Sequence, residues 1–413
     1  MKIFISYPYI HLKSIFVNLT KGENILKITD VIIVRYDELA LKSKNVRTRY
    51  EQILVRNLKS MLKSEGCNFS DITREMGRVF IHSDDPKAIK SAARVFGVVS
   101  VSPAYTCEAT LSSAAGSCAG IAGDVLKEGQ SFAIRARRAG NHDFTSRHIG
   151  IACGDAVFEK MNGNVTVDLE NPDVEIFVEL RQEKGYVFTG SVKGAGGLPL
   201  GTQGKMVALV SGGIDSPVAA WLMMKRGCDI IPLYLNNDPF SDESTRERAM
   251  SCIDVLQKWS PHKKLTIYEA PHGENLLAFL SNCNNRLNCV LCRRMMYRIA
   301  GEVLKMEDAH GIITGSSLGQ VASQTSENML AEMYGMEYPI YHPLIGLDKL
   351  EITNMARNIG TLEPSTKPAT CCMAVPEYPS TASKPKEVVE AEKLIDVPGL
   401  VDNMLKNIKK FTR

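Results

Sequence analysis

Short apolar runs alternate with longer amphipathic stretches through the second half of the chain. "MVALV" (206–210) is followed by "PVAAWLMMKRG", "DIIPLYL", "STRERAMSCIDVLQKW", "LTIYEA", "CRRMMYRIAGEVLKMEDA" and "GIITG". The short runs have the length of buried strands, and the stretches between them repeat apolar residues at the spacing of one helix face. Strands alternating with helices predict a doubly wound parallel sheet covered on both faces, an α/β arrangement.

The first half has a different rhythm. "VIIVRY" (31–36) predicts a strand and "NVRTRYEQILVRNLKSMLKSEG" a helix ending at Gly66. "RVFIHS" (78–83) predicts another strand, after which Asp84-Asp85-Pro86 opens a helix through "KAIKSAARVFG". This is an α+β pattern. In "SFAIRARRAGNHDFTSRHIG", Phe132, Ile134 and Ala136 alternate with Ala133, Arg135 and Arg137, as in a half-buried strand with a basic outer side. "VTVDL", "VEIFVEL" and "GYVFTGSV" continue the strand pattern. "GAGGLPLGTQGK" (194–205) lacks Walker spacing and predicts a linker. Near the end, "PKEVVEAEKLI" predicts one amphipathic helix before a basic tail.

At 413 residues the chain is long enough for two or three domains. With 44% hydrophobic and 23% charged residues it has a soluble globular balance, and no run approaches the roughly 20 apolar residues of a membrane helix. Pro8, His11 and Lys13 interrupt the N-terminal apolar run, so residues 1–29 are expected to be an extension rather than a signal peptide. Eleven cysteines without a framework spacing point to a reducing compartment, hence the cytoplasm. A net charge of +3 permits a nucleic-acid partner without arguing for one. The argument must come from placement. Arg135, Arg137, Arg138 and Arg147 fall close together near His148, which fits either a solvated strand face or phosphate contacts with RNA.

"MVALV" leads straight into Ser211-Gly212-Gly213-Ile214-Asp215-Ser216 and then Pro217, a residue suited to a first helical turn. In parallel α/β sheets ligands bind at the carboxyl ends of strands. Glycines there let backbone N–H groups approach an anion, and a helix N-terminus adds partial positive charge. A phosphate site fits, although Ser-Gly-Gly alone would equally make a structural turn. Elsewhere Cys289 and Cys292 form a Cys-x-x-Cys pair. Taken alone it admits structural zinc, a redox dithiol, two buried thiols or a metal cluster.

The longer string Ser-Gly-Gly-x-Asp-Ser resembles the PP-loop of ATP pyrophosphatases. "VRYDELALKSKN", "GLPLGTQGK", "RRMMYRIA", "TGSSLGQVASQT", "HPLIGLDKLEI" and "CCMAVPEYPST" resemble, in order, segments of the tRNA 4-thiouridine synthetase (tRNA sulfurtransferase) family. The resemblance implies a ferredoxin-like domain (30–86), a THUMP tRNA-binding domain (87–195), a PP-loop domain (196–385) and a C-terminal helix with basic tail (386–413). It implies adenylation by ATP of the uridine at position 8 of tRNA, then replacement of its 4-oxygen by sulfur, with a link to thiamine synthesis in bacterial relatives. Another PP-loop tRNA thiolase, or a tRNA-binding module with a non-catalytic nucleotide site, is the alternative. The resemblance further assigns Arg135, Arg137, Arg138 and Arg147 to tRNA.

In that comparison Ser211, Gly212, Gly213, Asp215 and Ser216 hold the phosphates, with Asp215 binding Mg2+ or assisting adenylation. Leu209, Val210, Tyr234 and Leu235 line the adenosine pocket, and Arg293, Gly315 and Gln324 complete it. Lys349 offsets phosphate charge, although as a helix-start lysine it needs no such role; Asp348 and Glu351 beside it have capping-box spacing. Cys372 takes the catalytic cysteine's position. Forty-one residues follow it, too few for the rhodanese-like domain of the bacterial form. Cys289, Cys292 and Cys372 match the iron–sulfur ligands of the archaeal branch, with one iron open to sulfide if Cys283 does not ligate. Sulfide or a persulfide carrier would be the sulfur donor, and a homodimer is implied.

Overall fold

The computed structural model describes residues 30–75 and 77–413, so the proposed extension at 1–29 lies outside the described residues. The chain divides into two compact units, each built from separated stretches.

One unit contains 30–33, 80–89 and 102–192. Ser131–Arg138 runs parallel to Val174–Leu180, which pairs antiparallel with Lys184–Phe188. Two helices, Leu111–Val125 and Ser146–Lys160, bury Ala114, Cys118, Ile121, Ile149, Cys153 and Val157 against Phe132, Ile176 and Val178. The opposite face of these strands closes a second core, in which Phe80 stacks on Tyr186 at 4.6 Å and Phe177 on Phe188 at 5.2 Å. Leu111–Val125 was not legible as a helix, because its core face carries Ala114, Cys118 and Ala122 with Ile121 the only large apolar side chain, too little for a strong stripe. "VTVDL" is paired only at Thr166–Val167.

The other unit contains 34–79, 90–101 and 193–413. Its six-stranded sheet runs in the order Ile340–Tyr341, Ile312–Ile313, Lys205–Leu209, Asp229–Asn236, Thr266–Pro271, Lys409–Thr412. All neighbouring pairs are parallel except the last. Successive residues of the central strand serve opposite cores, as the two-residue pleat requires. Met206, Ala208 and Val210 pack with helices Asp215–Lys225, Glu243–Gln257 and Lys349–Ile359. Val207 packs with Asn288–Glu307, Pro385–Glu392 and Val397–Lys406. The doubly wound α/β expectation is met.

Two expectations need correction here. The helix read from Cys292 begins at Asn288, so Cys289 lies in its first turn and Cys292 at the start of its second. The basic tail is no tail: Val397–Lys406 is a helix and Lys409–Thr412 an antiparallel edge strand. Two of its cations are paired with carboxylates from elsewhere in the unit, Lys410 with Glu307 at 2.7 Å and Arg413 with Asp254. The glycine-rich linker docks on the end of helix Asp215–Lys225, where the amides of Gly201, Thr202 and Gln203 each reach the Gly227 carbonyl at 3.0 Å. Gly227 itself stands at φ +90°, and an added Cβ would meet Thr202 Oγ1 at 2.3 Å.

Candidate functional site: the serine-glycine loop and the thiol group

Strand Lys205–Leu209 ends in the loop Val210–Ile214, and helix Asp215–Lys225 starts immediately after it. The loop is held from inside by its two serines. Ser211 N–H donates to Ser216 Oγ at 2.8 Å, the two hydroxyls lie 3.0 Å apart, and Gly213 N–H donates to Ser211 Oγ at 3.3 Å. It is held from outside by Arg248, whose guanidinium donates to the Gly212 carbonyl at 2.7 and 3.1 Å and to the Ser365 carbonyl at 2.7 Å. Gly212 has no room for a side chain: a Cβ would stand 2.7 Å from Arg248 Cβ. Gly315 backs the loop as closely, its missing Cβ 2.7 Å from Ser216 N.

Asp215 is the first residue of its helix, and both its carboxylate oxygens are engaged. Lys349 Nζ donates to Oδ1 at 2.7 Å and Gln320 Nε2 to Oδ2 at 2.8 Å. Lys349 is aimed there by the capping box it follows, with Glu351 N–H on Asp348 Oδ1 at 2.8 Å and Asp348 N–H on Glu351 Oε2 at 3.0 Å. The side chains of Lys349 and Asp215 are 50% and 21% exposed. A pair so wet contributes about 0–1 kcal/mol to folding. Stability is therefore a poor reason for placing it at the mouth of a glycine loop.

Leu209 and Val210 lie beside Leu233, Tyr234 and Leu235 through the parallel register, with Val210 N–H donating to the Leu233 carbonyl at 3.0 Å. Tyr234 is buried, and burial next to Glu269 pushes its phenol up to about 12. Arg293 is tied into a buried network: it donates to Glu332 at 2.7 Å, Tyr297 at 2.8 Å and Ser316 at 2.6 Å. Gln324 is buried and accepts from Ser317 N–H at 3.3 Å. Both residues brace the segment carrying Gly315 and Gln320. His342, held by Thr314 Oγ1 at 2.7 Å, is lowered to about 4 by burial and then by Arg293.

The thiols form a second group. Cys372 lies on a loop stapled by Met373 N–H to the Phe240 carbonyl at 2.9 Å and by Asn288 Nδ2 to the Ala374 carbonyl. Asn237 Nδ2 reaches Cys372 Sγ at 3.8 Å. Cys289, Cys292 and Cys372 are half-buried, whereas Cys371 is exposed. Burial pushes the Cys289 thiol up, and the charge of Cys372 adds to it. The Cys292 thiol is pushed up by burial and then by Cys289 and Cys372, with Arg293 opposing. The three sulfurs thus feel one another. Among the described residues, no three His, Cys, Asp or Glu side chains stand gathered as a finished metal site.

The family model described as "Thiamine biosynthesis protein (ThiI)" matches residues 201–397, the ThiI ferredoxin-like domain 31–102 and the THUMP domain 119–189. A "Probable tRNA sulfurtransferase" of Methanosarcina acetivorans is 54% identical over 92% of this chain and 93% of its own length. This chain belongs to the tRNA sulfurtransferase family. A second member of that family, from Methanosarcina mazei, is 53% identical over 95% of this chain and 98% of its own. A solved structure described as a 4-thiouridine synthetase–RNA complex with bound ATP is similar at a TM-score of 0.83 and 31% identity, covering 93% of this chain and 99% of that one.

The family's THUMP match contains the basic strand, where the arginines divide. Arg135 donates to Glu175 at 2.6 Å. Arg138 donates to the His142 and Phe144 carbonyls at 2.9 and 3.0 Å, closing the loop before helix Ser146–Lys160. His148 completes that helix's capping box with Thr145. Arg137 and Arg147 are exposed. Sequence reasoning missed Gln320, Arg248 and Glu332. Gln320 stood in the quoted segment "TGSSLGQVASQT"; Arg248 and Glu332 sit in ordinary helical patterns and gave no signal.

No helix among the described residues is long and apolar enough to cross a membrane.

Proposed function

We propose that this protein is an ATP-dependent tRNA sulfurtransferase that converts the uridine at position 8 of tRNA to 4-thiouridine in the cytoplasm. The observation that carries the reading is Asp215, at the strand–loop–helix junction, gripped by Lys349 and Gln320. Similarity to the ATP-bound synthetase–RNA complex supports it.

The uridine 4-oxygen is a poor leaving group. Its attack on the α-phosphorus of ATP forms an O–P bond, breaks the bond to the β-phosphate and releases pyrophosphate; a sulfur nucleophile then attacks C4 and AMP leaves with the oxygen. The Ser211 and Gly213 amides hold the loop in shape, and its remaining N–H groups at the helix N-terminus serve the phosphates, where the helix adds positive charge. Lys349 offsets phosphate charge. Each Asp215 oxygen keeps a lone pair beside its present hydrogen bond, so the carboxylate suits Mg2+, which supplies charge neutralisation when bound. Leu209, Val210, Tyr234 and Leu235 supply the apolar wall for adenosine. Arg137 and Arg147 are the cations best placed for tRNA phosphates; Arg135 and Arg138 shape their support.

Cys289, Cys292 and Cys372 suit an iron–sulfur cluster by donor chemistry: all are half-buried thiols, and burial raises those of Cys289 and Cys292, a cost that a bound cation would offset. When bound, such a cluster supplies an iron without a protein ligand that accepts sulfide. Cys283 donates to the Ala391 carbonyl at 3.4 Å, which occupies its thiol elsewhere.

Anaerobic purification with iron and sulfide analysis, followed by thiolation of unmodified tRNA with ATP and sulfide, tests the reading. Iron with 4-thiouridine formation is expected. Zinc in place of iron, or full activity after Cys289→Ala with Cys292→Ala, sinks the cluster assignment; 4-thiouridine formed by Asp215→Ala sinks the loop's role.

A further inference from the structure

His272 follows the strand Thr266–Pro271 and precedes helix Gly273–Asn282, and it is 0% exposed. Its backbone N–H donates to the Asn236 carbonyl at 2.7 Å, which fixes the ring's base. The ring has two polar neighbours: Asn275 Nδ2 lies 3.0 Å from Nδ1, and Cys292 Sγ lies 3.2 Å from Nε2. Asn275 is itself buried, and its Nδ2 also reaches Met404 Sδ at 2.7 Å. Its Oδ1 has no partner among the described residues.

An amide nitrogen only donates, so the Nδ1 facing it accepts and the ring proton sits on Nε2. Exchanging the amide's oxygen and nitrogen would set the oxygen, which cannot donate, against the Met404 sulfur, which can only accept. The present orientation is the better of the two, since it gives the thioether a donor and faces one N–H donor group toward both the ring and the sulfur.

We propose that His272 is a positioning residue for the sulfur chemistry: its Nε2–H donates to Cys292 Sγ, and Asn275 selects the ring tautomer that makes this possible. The inference rests on the reading of Cys289, Cys292 and Cys372 as one sulfur-handling set. It makes the three sulfurs unequal. Cys292 is oriented and has electron density drawn from it by an N–H···S bond, while Cys372 has only the distant Asn237 amide. Partners of this kind behind a ligand alter metal affinity by about 10- to 100-fold.

The test uses the full chain labelled with 15N-histidine, first without metal. The His272 ring, assigned by loss of its signals in His272→Gln, is expected to carry its proton on Nε2; a proton on Nδ1 overturns the proposal. Asn275→Asp offers an acceptor to Nδ1–H and is expected to reverse the tautomer. It is then expected to slow or speed alkylation of Cys292 severalfold while leaving Cys289 unchanged, and an unchanged Cys292 rate overturns the proposal. After anaerobic reconstitution with iron and sulfide, Asn275→Asp is expected to bind iron about 10- to 100-fold more weakly and to show a shifted reduction potential. Unaltered affinity and potential overturn the proposal. If the parent protein takes up no iron, the cluster assignment falls, while the tautomer and alkylation results still decide the role of His272.

Discussion

The serine-glycine loop and the thiol group sit in one unit and are built in opposite ways. In the loop, five of six consecutive residues are held by hydrogen bonds already made: serine to serine, Gly213 to Ser211, Arg248 to Gly212, Lys349 and Gln320 to Asp215. The thiols come from a helix start and a distant loop, those of Cys289 and Cys292 are raised chiefly by burial, and the three do not form a finished site. A group that must bind an anion can be built complete from backbone amides. A group that must bind a cation is at its least comfortable before the cation arrives.

Asp215→Ala breaks the comparison most severely. It is expected to lower 4-thiouridine formation by at least about 100-fold, as loss of one charge-stabilising group does, measured by nucleoside mass spectrometry with the fold checked by circular dichroism. Cys372→Ala sharpens it: sulfur incorporation is expected to vanish while tRNA-dependent pyrophosphate release continues, separating activation from sulfur delivery. Loss of both together would merge the two sites into one.

Glu332→Ala tests the brace that joins them. Glu332 is 1% exposed and paired with Arg293, so removing it leaves that cation without its counter-charge and is expected to cost about 3–5 kcal/mol in denaturant unfolding. In the other unit, Arg137→Ala is expected to reduce the salt slope of tRNA binding by about 1 without affecting stability. Arg135→Ala should cost up to about 1 kcal/mol through the lost Glu175 pair. The effect that is absent at neutral pH and appears only on acidification is that of His342. Its folded value lies near 4 against about 6.5 unfolded, so the unfolded chain takes up the proton first as pH falls. Its contribution is fully present above about 6.5 and is lost as pH falls toward 4; His342→Gln should flatten that part of the pH–stability curve.

Legibility in the sequence followed the range of the interaction. The α/β alternation and the Ser-Gly-Gly-x-Asp-Ser string are local, and both were readable. Helix Leu111–Val125 was not, because small residues let helices approach closely without marking a period. The tail from Lys409 was read as free charge because its acceptors, Glu307 and Asp254, lie more than a hundred residues away. Arg135 looked like a surface cation for the same reason: Glu175 faces it only through a parallel pairing. Gln320 and Lys349 converge on Asp215 from 105 and 134 positions along the chain. No periodicity encodes such a meeting.

That separation has a consequence for the life of the protein in the cell. Lys349 reaches Asp215 only after the helix at Lys349–Ile359 has packed against the helix at Asp215–Lys225. A nascent or partly unfolded chain can present the glycine loop and still lack its ammonium. Under the role proposed for Lys349, such unfinished copies are expected to spend little ATP.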